Sequence, residues 1–129
     1  TSPAGATYET APTSGCYFIS SSTIANWYAT CANSGARTYT DTTIASTTVT
    51  NGAGQWYMFR VDADADGARF FMRESETAVL RQVAYITTNL PTGVSLNAGA
   101  YIATGASTLS VNADVASIDF GWRKVLPVN

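Results

Sequence analysis

The chain has 129 residues and a net charge of −2, with 46 % hydrophobic and only 12 % charged residues. That is enough for one domain around one core and too apolar for a disordered chain. The charge gives no electrostatic grip on nucleic acid, and no apolar run is long enough to span a bilayer.

Residues 1–15, "TSPAGATYETAPTSG", are rich in Pro, Gly, Ser and Thr and read as an extended lead-in. "CYFIS" (Cys16–Ser20) is a short strand, "SSSTIAN" a turn, and "WYATC" (Trp27–Cys31) the returning strand. A hairpin centred between Thr23 and Ile24 sets Cys16 opposite Cys31, the chain's only cysteine pair. The expectation is two reduced cysteines packed as small apolar groups, because assembly in a cytosol keeps thiols reduced; a cross-strand bridge is the other reading.

"ANSGA" (Ala32–Ala36) is a turn, and "RTYTDTTIAS" (Arg37–Ser46) alternates as a strand with one wet face. "TNGAGQ" (Thr50–Gln55) is a turn before the strong strand "WYMFRV" (Trp56–Val61). Tyr57, Phe59 and Val61 are expected to face inward, and Met58 and Arg60 outward. In "ARFFMRE", Ala68, Phe70 and Met72 share one face and Arg69, Phe71 and Arg73 the other. "SETAVLRQVAY" has some helical spacing, but its β-branched content favours strand. "NLPTG" is a turn, and "AGAYIATG" and "VASIDFGWRKVL" read as the last strands. Short strands, frequent turns and no convincing helix predict an all-β, antiparallel β-sandwich or barrel over residues 1–129 as a single domain.

"VDADADGARF" begins like a helix–loop–helix calcium site. Such a loop requires a bidentate Glu at its twelfth position, and counting from Asp62 that position is Arg73. The flanks alternate with the period of a strand. A hairpin turning at Asp66-Gly67 replaces the calcium loop, with Gly67 supplying positive φ. There is no histidine, which removes Ser–His and Cys–His nucleophiles and histidine metal ligands. No metal or other cofactor is expected.

An ordered set of stretches resembles the concanavalin-like, jelly-roll β-sandwich module of tailed-phage virion proteins. They are "PTSGCYF", "NWYATCANSG", "TYTDTTIA", "QWYMFRVDADADGARFFM", "TTNLP" and "SIDFGWRKV", spread over residues 12–125. The chain departs from the family pattern at "RESETAV" (Arg73–Val79). The resemblance places it in the later part of the family module: either it is the C-terminal part of a longer protein, or the sandwich is reduced, or neighbouring copies cover its edges. The resemblance implies a non-catalytic virion structural protein, a capsid decoration or tail-fibre module. It would assemble in the host cytoplasm with other virion proteins and copies of itself. Met58, Phe71 and Trp122, placed outward on strands, are the candidate interface residues, with no contact to nucleic acid or membrane.

The alternative is a lectin-like module for a host-surface glycan, with Asn26, Trp27, Tyr28, Tyr39 and Asp41 as the patch. Aromatic rings take the apolar sugar face, and amide and carboxylate groups hold hydroxyls. A glycoside hydrolase needs two carboxylates across the scissile bond. Glu74 and Glu76 are the one plausible pair, they lie in a solvated stretch, and no catalytic residue is assigned.

Overall fold

The computed structural model describes residues 12–20, 24–46, 57–75 and 77–93. All lie in the first of the two units into which the chain divides, Thr1–Val94 and Ser95–Asn129. The expected strands at "AGAYIATG" and "VASIDFGWRKVL" fall outside the described residues.

Six strands are present among the described residues and no helix: β1 (Gly15–Ile19), β2 (Asn26–Asn33), β3 (Ala36–Ala45), β4 (Met58–Ala63), β5 (Ala68–Arg73) and β6 (Arg81–Ile86). They form two antiparallel sheets of three strands, ordered β1-β2-β3 (sheet A) and β4-β5-β6 (sheet B). Each sheet is a meander of consecutive hairpins, the cheapest way to pair strands close in sequence. The stretch that was ambiguous between helix and strand resolves into a turn followed by β6.

Local chemistry sets the registers. Cys16 pairs with Cys31, as the predicted hairpin centre requires. Ser34 and Gly35, at φ 50° and 89°, form the tight turn between Asn33 and Ala36. Positive φ at both central residues matches the twist of the flanking strands. That turn is tied to the lead-in, since Gly35 N donates to Thr13 O at 2.7 Å and Ser34 N to Ser14 Oγ at 3.1 Å.

The two inner faces pack into one core. Ala29 and Cys31 of sheet A meet Ala68, Phe70, Ala84 and Ile86 of sheet B, with Phe18 and Val61 against them. Phe70 and Met72 are fully buried; each contributes about 1.5–3 kcal/mol relative to exposure. The small residues of β2 let the large side chains of β5 enter from the facing sheet. Beside this core, Thr38 and Thr88 hydroxyls share a 2.6 Å hydrogen bond, and Asn89 Nδ2 donates to Thr38 Oγ1 at 3.0 Å. These bonds clip β3 to the segment after β6. The six described strands form a β-sandwich-like arrangement.

One expectation needs correcting. Cys16 and Cys31 are joined by a disulfide rather than reduced. Directly opposed cysteines with a Cα–Cα distance of 4.2 Å are close enough to bridge without displacing either strand.

A second correction concerns the β4–β5 turn. Asp62 is bidentate to Arg60 at 2.8 and 2.7 Å, and Asp64 Oδ2 accepts from Arg69 at 3.0 Å. Asp64 Oδ1 also accepts from the backbone N–H of Asp66 and Gly67, which closes the turn. Gly67 does not have positive φ.

Candidate functional site

Two outward faces carry the candidate residues. On the side of sheet A away from the core, the register places Tyr17, Thr30 and Tyr39 in one row across the strands, with Thr30 itself fully buried, and Ile19, Tyr28 and Asp41 in the next. Asp41 is the polar centre. Its carboxylate accepts from Asn26 Nδ2 at 3.0 and 3.2 Å and from the Tyr28 hydroxyl at 3.4 Å. Its Oδ1 also accepts from Thr43 N at 2.7 Å.

That last bond has a structural cause. The β2–β3 register shifts between Asn26 and Tyr28, and Thr43 sits at φ 61°. Left-handed backbone is costly for a β-branched residue, about 1–3 kcal/mol. The Asp41 carboxylate holds the distortion in place, with Thr42 Oγ1 donating to Trp27 O at 2.8 Å beside it. The Tyr28 hydroxyl has its pKa raised, first by desolvation and then by the neighbouring Asp41 carboxylate. It therefore stays a donor into alkaline solution. At the other end of the face, Arg37 Nε donates to the Tyr17 hydroxyl at 3.2 Å.

The structure thus brings Asn26, Tyr28 and Asp41 together, with Tyr39 on the same face. It does not bring Trp27. Successive strand residues alternate, so Trp27 points between the sheets, with its ring 4.8 Å from Phe59 and 5.7 Å from Tyr57. Its indole Nε1 is buried without a hydrogen-bond partner.

On sheet B, the outward rows are Met58 with Arg73, Arg60 with Phe71, and Asp62 with Arg69 and Tyr85. The Arg60 guanidinium lies 5.4 Å from the Phe71 ring centroid, and that of Arg69 lies 5.0 Å from the Tyr85 ring. Each arginine is held on its ring by an aspartate, Arg60 by Asp62 and Arg69 by Asp64. Met58 and Tyr85 are each 46 % exposed. The candidate interface residues Met58 and Phe71 therefore share this face, and Trp122 lies outside the described residues. The role of Arg60, Arg69 and Tyr85 went unread in the sequence. A turn at Asp66-Gly67 would set Arg60 opposite Arg73. The longer turn in the structure shifts the register and sets Arg60 opposite Phe71, so the pairing was not legible in the sequence.

Among the described residues no group of three or more His, Cys, Asp or Glu is arranged to hold a metal ion. Glu74 is exposed, and its suggested partner Glu76 lies outside the described residues. Comparison of the chain with protein-family models, curated proteins and solved structures finds no match. The resemblance to phage virion modules rests on the sequence stretches alone.

Proposed function

We propose that this chain is a non-catalytic structural protein of a bacteriophage virion, exposed on the particle as a capsid decoration or tail-fibre module. It docks on neighbouring virion proteins through the outer face of sheet B. The observation that supports this most is the pair of guanidinium–aromatic stacks, Arg60 on Phe71 and Arg69 on Tyr85, beside exposed Met58. Met, Tyr, Phe and Arg are the residue types enriched at the cores of protein interfaces. Pinning each arginine by an aspartate lowers the side-chain entropy that docking would otherwise lose.

The concanavalin-like, jelly-roll connection of the sheets belongs to the same proposal. So does a site of action on an assembled particle, where a Cys16–Cys31 disulfide persists. The test is incorporation. Met58→Asp and Phe71→Asp keep the fold, since both side chains point away from the core, and they abolish recovery of the protein with purified particles. Incorporation of both variants at the wild-type level overturns the proposal.

A second reading is supported by the Asp41 cluster. An exposed carboxylate oriented by Asn26 and Tyr28 is suited to holding the hydroxyls of a host-surface glycan. Its test is binding to host-cell polysaccharide. Asp41→Ala and Tyr28→Phe would each weaken that binding, and no wild-type binding removes this reading.

A further inference from the structure

We infer that the protein docking on the outer face of sheet B presents an aspartate or glutamate carboxylate to Arg73. This rests on the docking proposed above and adds the chemistry of the surface that docks.

Three arginines stand in the outward rows of sheet B: Arg60, Arg69 and Arg73. Two of them are already neutralised. Arg60 Nη2 lies 2.7 Å from Asp62 Oδ2, and Arg69 Nη1 lies 3.0 Å from Asp64 Oδ2. Each is also laid over a ring, Phe71 or Tyr85. Arg73 differs on both counts. Among the described residues no carboxylate pairs with it and no ring lies under its guanidinium. Its Nε is buried and has no hydrogen-bond acceptor.

A buried donor without an acceptor is costly, and more so when it belongs to a charged group. The fold nevertheless holds this one directly opposite exposed Met58, on the face that carries the Arg60–Phe71 stack. Arg60 and Asp62 cancel, as do Arg69 and Asp64. Arg73 is left as a local positive charge on a chain whose net charge is −2.

A carboxylate fits this group. It is planar and anionic, and it accepts two parallel N–H bonds from one guanidinium. Met58 beside it calls for apolar side chains around that acid. A protein surface with one acid set among apolar residues supplies both, whereas an acidic polysaccharide carries its carboxylates among hydroxyls. Because Arg60 and Arg69 bring their own acids, a second acid on the partner would meet Asp62 or Asp64. Such repulsion fixes where the partner's single acid sits.

Two experiments on the full chain test this. In the first, the arginine Nε–Hε resonances of isotopically labelled protein are followed as sodium acetate is added, against sodium chloride at equal ionic strength. The Arg73 resonance should respond to acetate and move further than those of Arg60 and Arg69, whose guanidinium groups already hold an aspartate. An Arg73 resonance that moves no further than the other two overturns the inference.

The second measures binding of the purified chain to particles assembled without it. Arg73→Met should weaken binding by about ten- to hundredfold. Its melting temperature should stay unchanged or rise, because the variant loses a buried donor that has no acceptor. Arg73→Lys should fall between, since an ammonium keeps the charge but not the planar fork. A lowered melting temperature for Arg73→Met would make the residue structural and overturn the inference. Met58→Asp separates the two claims. If it abolishes binding while Arg73→Met binds as wild type, the docking stands and the carboxylate is wrong. If the wild-type chain binds no particle, both fall. Wild-type binding to polygalacturonate that Arg73→Met abolishes would assign the carboxylate to a glycan and overturn the protein partner.

Discussion

The ring of Tyr85 lies so close to Gly67 that a Cβ at position 67 would come 2.5 Å from Tyr85 Cε2. Gly67→Ala must therefore push the ring aside. Tyr85 is half exposed and can move, but it gives up the bond from its hydroxyl to Asp66 O at 3.3 Å and the Arg69 contact. The expected loss is about 1–2 kcal/mol. A double-mutant cycle by urea unfolding checks it. In a Tyr85→Ala background Gly67→Ala should cost much less, and equal costs in both backgrounds would refute the relationship.

The Cys16–Cys31 bridge closes a loop of sequence separation 15. Its removal by reduction, or by Cys16→Ala with Cys31→Ala, should cost about 3 kcal/mol, lowering the melting temperature by roughly 10 °C. Thiol titration of the unfolded, unreduced protein should find no free thiol. Two free thiols would contradict the bond.

Thr43 is held in left-handed backbone by the Asp41 carboxylate. Thr43→Gly removes the steric cost of that conformation but adds chain entropy to the unfolded state. The net expectation is a gain of about 0.5–1 kcal/mol. Asp41→Ala removes the restraint and should destabilise by about 1–3 kcal/mol. Chemical denaturation of the two variants measures both signs, and a destabilised Thr43→Gly would show that the threonine is not strained.

Asp64 has its pKa lowered, first by the Asp66 backbone N–H and then by Arg69 and the Gly67 N–H. A carboxylate whose folded pKa is depressed contributes stability above its unfolded value, about 3.9, and loses it as pH falls through the folded value. Asp64→Asn should therefore cost stability at pH 6 and little at pH 2, with a shallower acid limb in its melting-temperature profile. An acid limb unchanged by the substitution would contradict this assignment.

The strands were legible where alternation was strict. Residues 68–73 alternate inward and outward as read, because one face of β5 is buried and the other is not. In β4 Phe59 and Val61 join the inner side, but burial does not alternate along the strand. The β1–β2 register followed from the hairpin centre. The bond between its cysteines did not, because the same register suits a reduced pair. Gly67 was read as a positive-φ turn residue. Its actual constraint is Tyr85, which arrives from another strand and leaves no local trace. Asn26, Tyr28 and Asp41 were read as one patch, and cross-strand pairing of Tyr28 with Asp41 unites them. Trp27 was placed with them although alternation by itself sends it to the other face. The left-handed Thr43 was invisible, since a β-branched residue in a Thr-rich run argues for regular strand.

Immunogold labelling of purified particles, from the genome that encodes this chain, tests the virion reading most directly. The reading predicts gold on the particle surface, at the head for a decoration protein or at the tail for a fibre module. Particles that incorporate none of the protein and carry no label would contradict it.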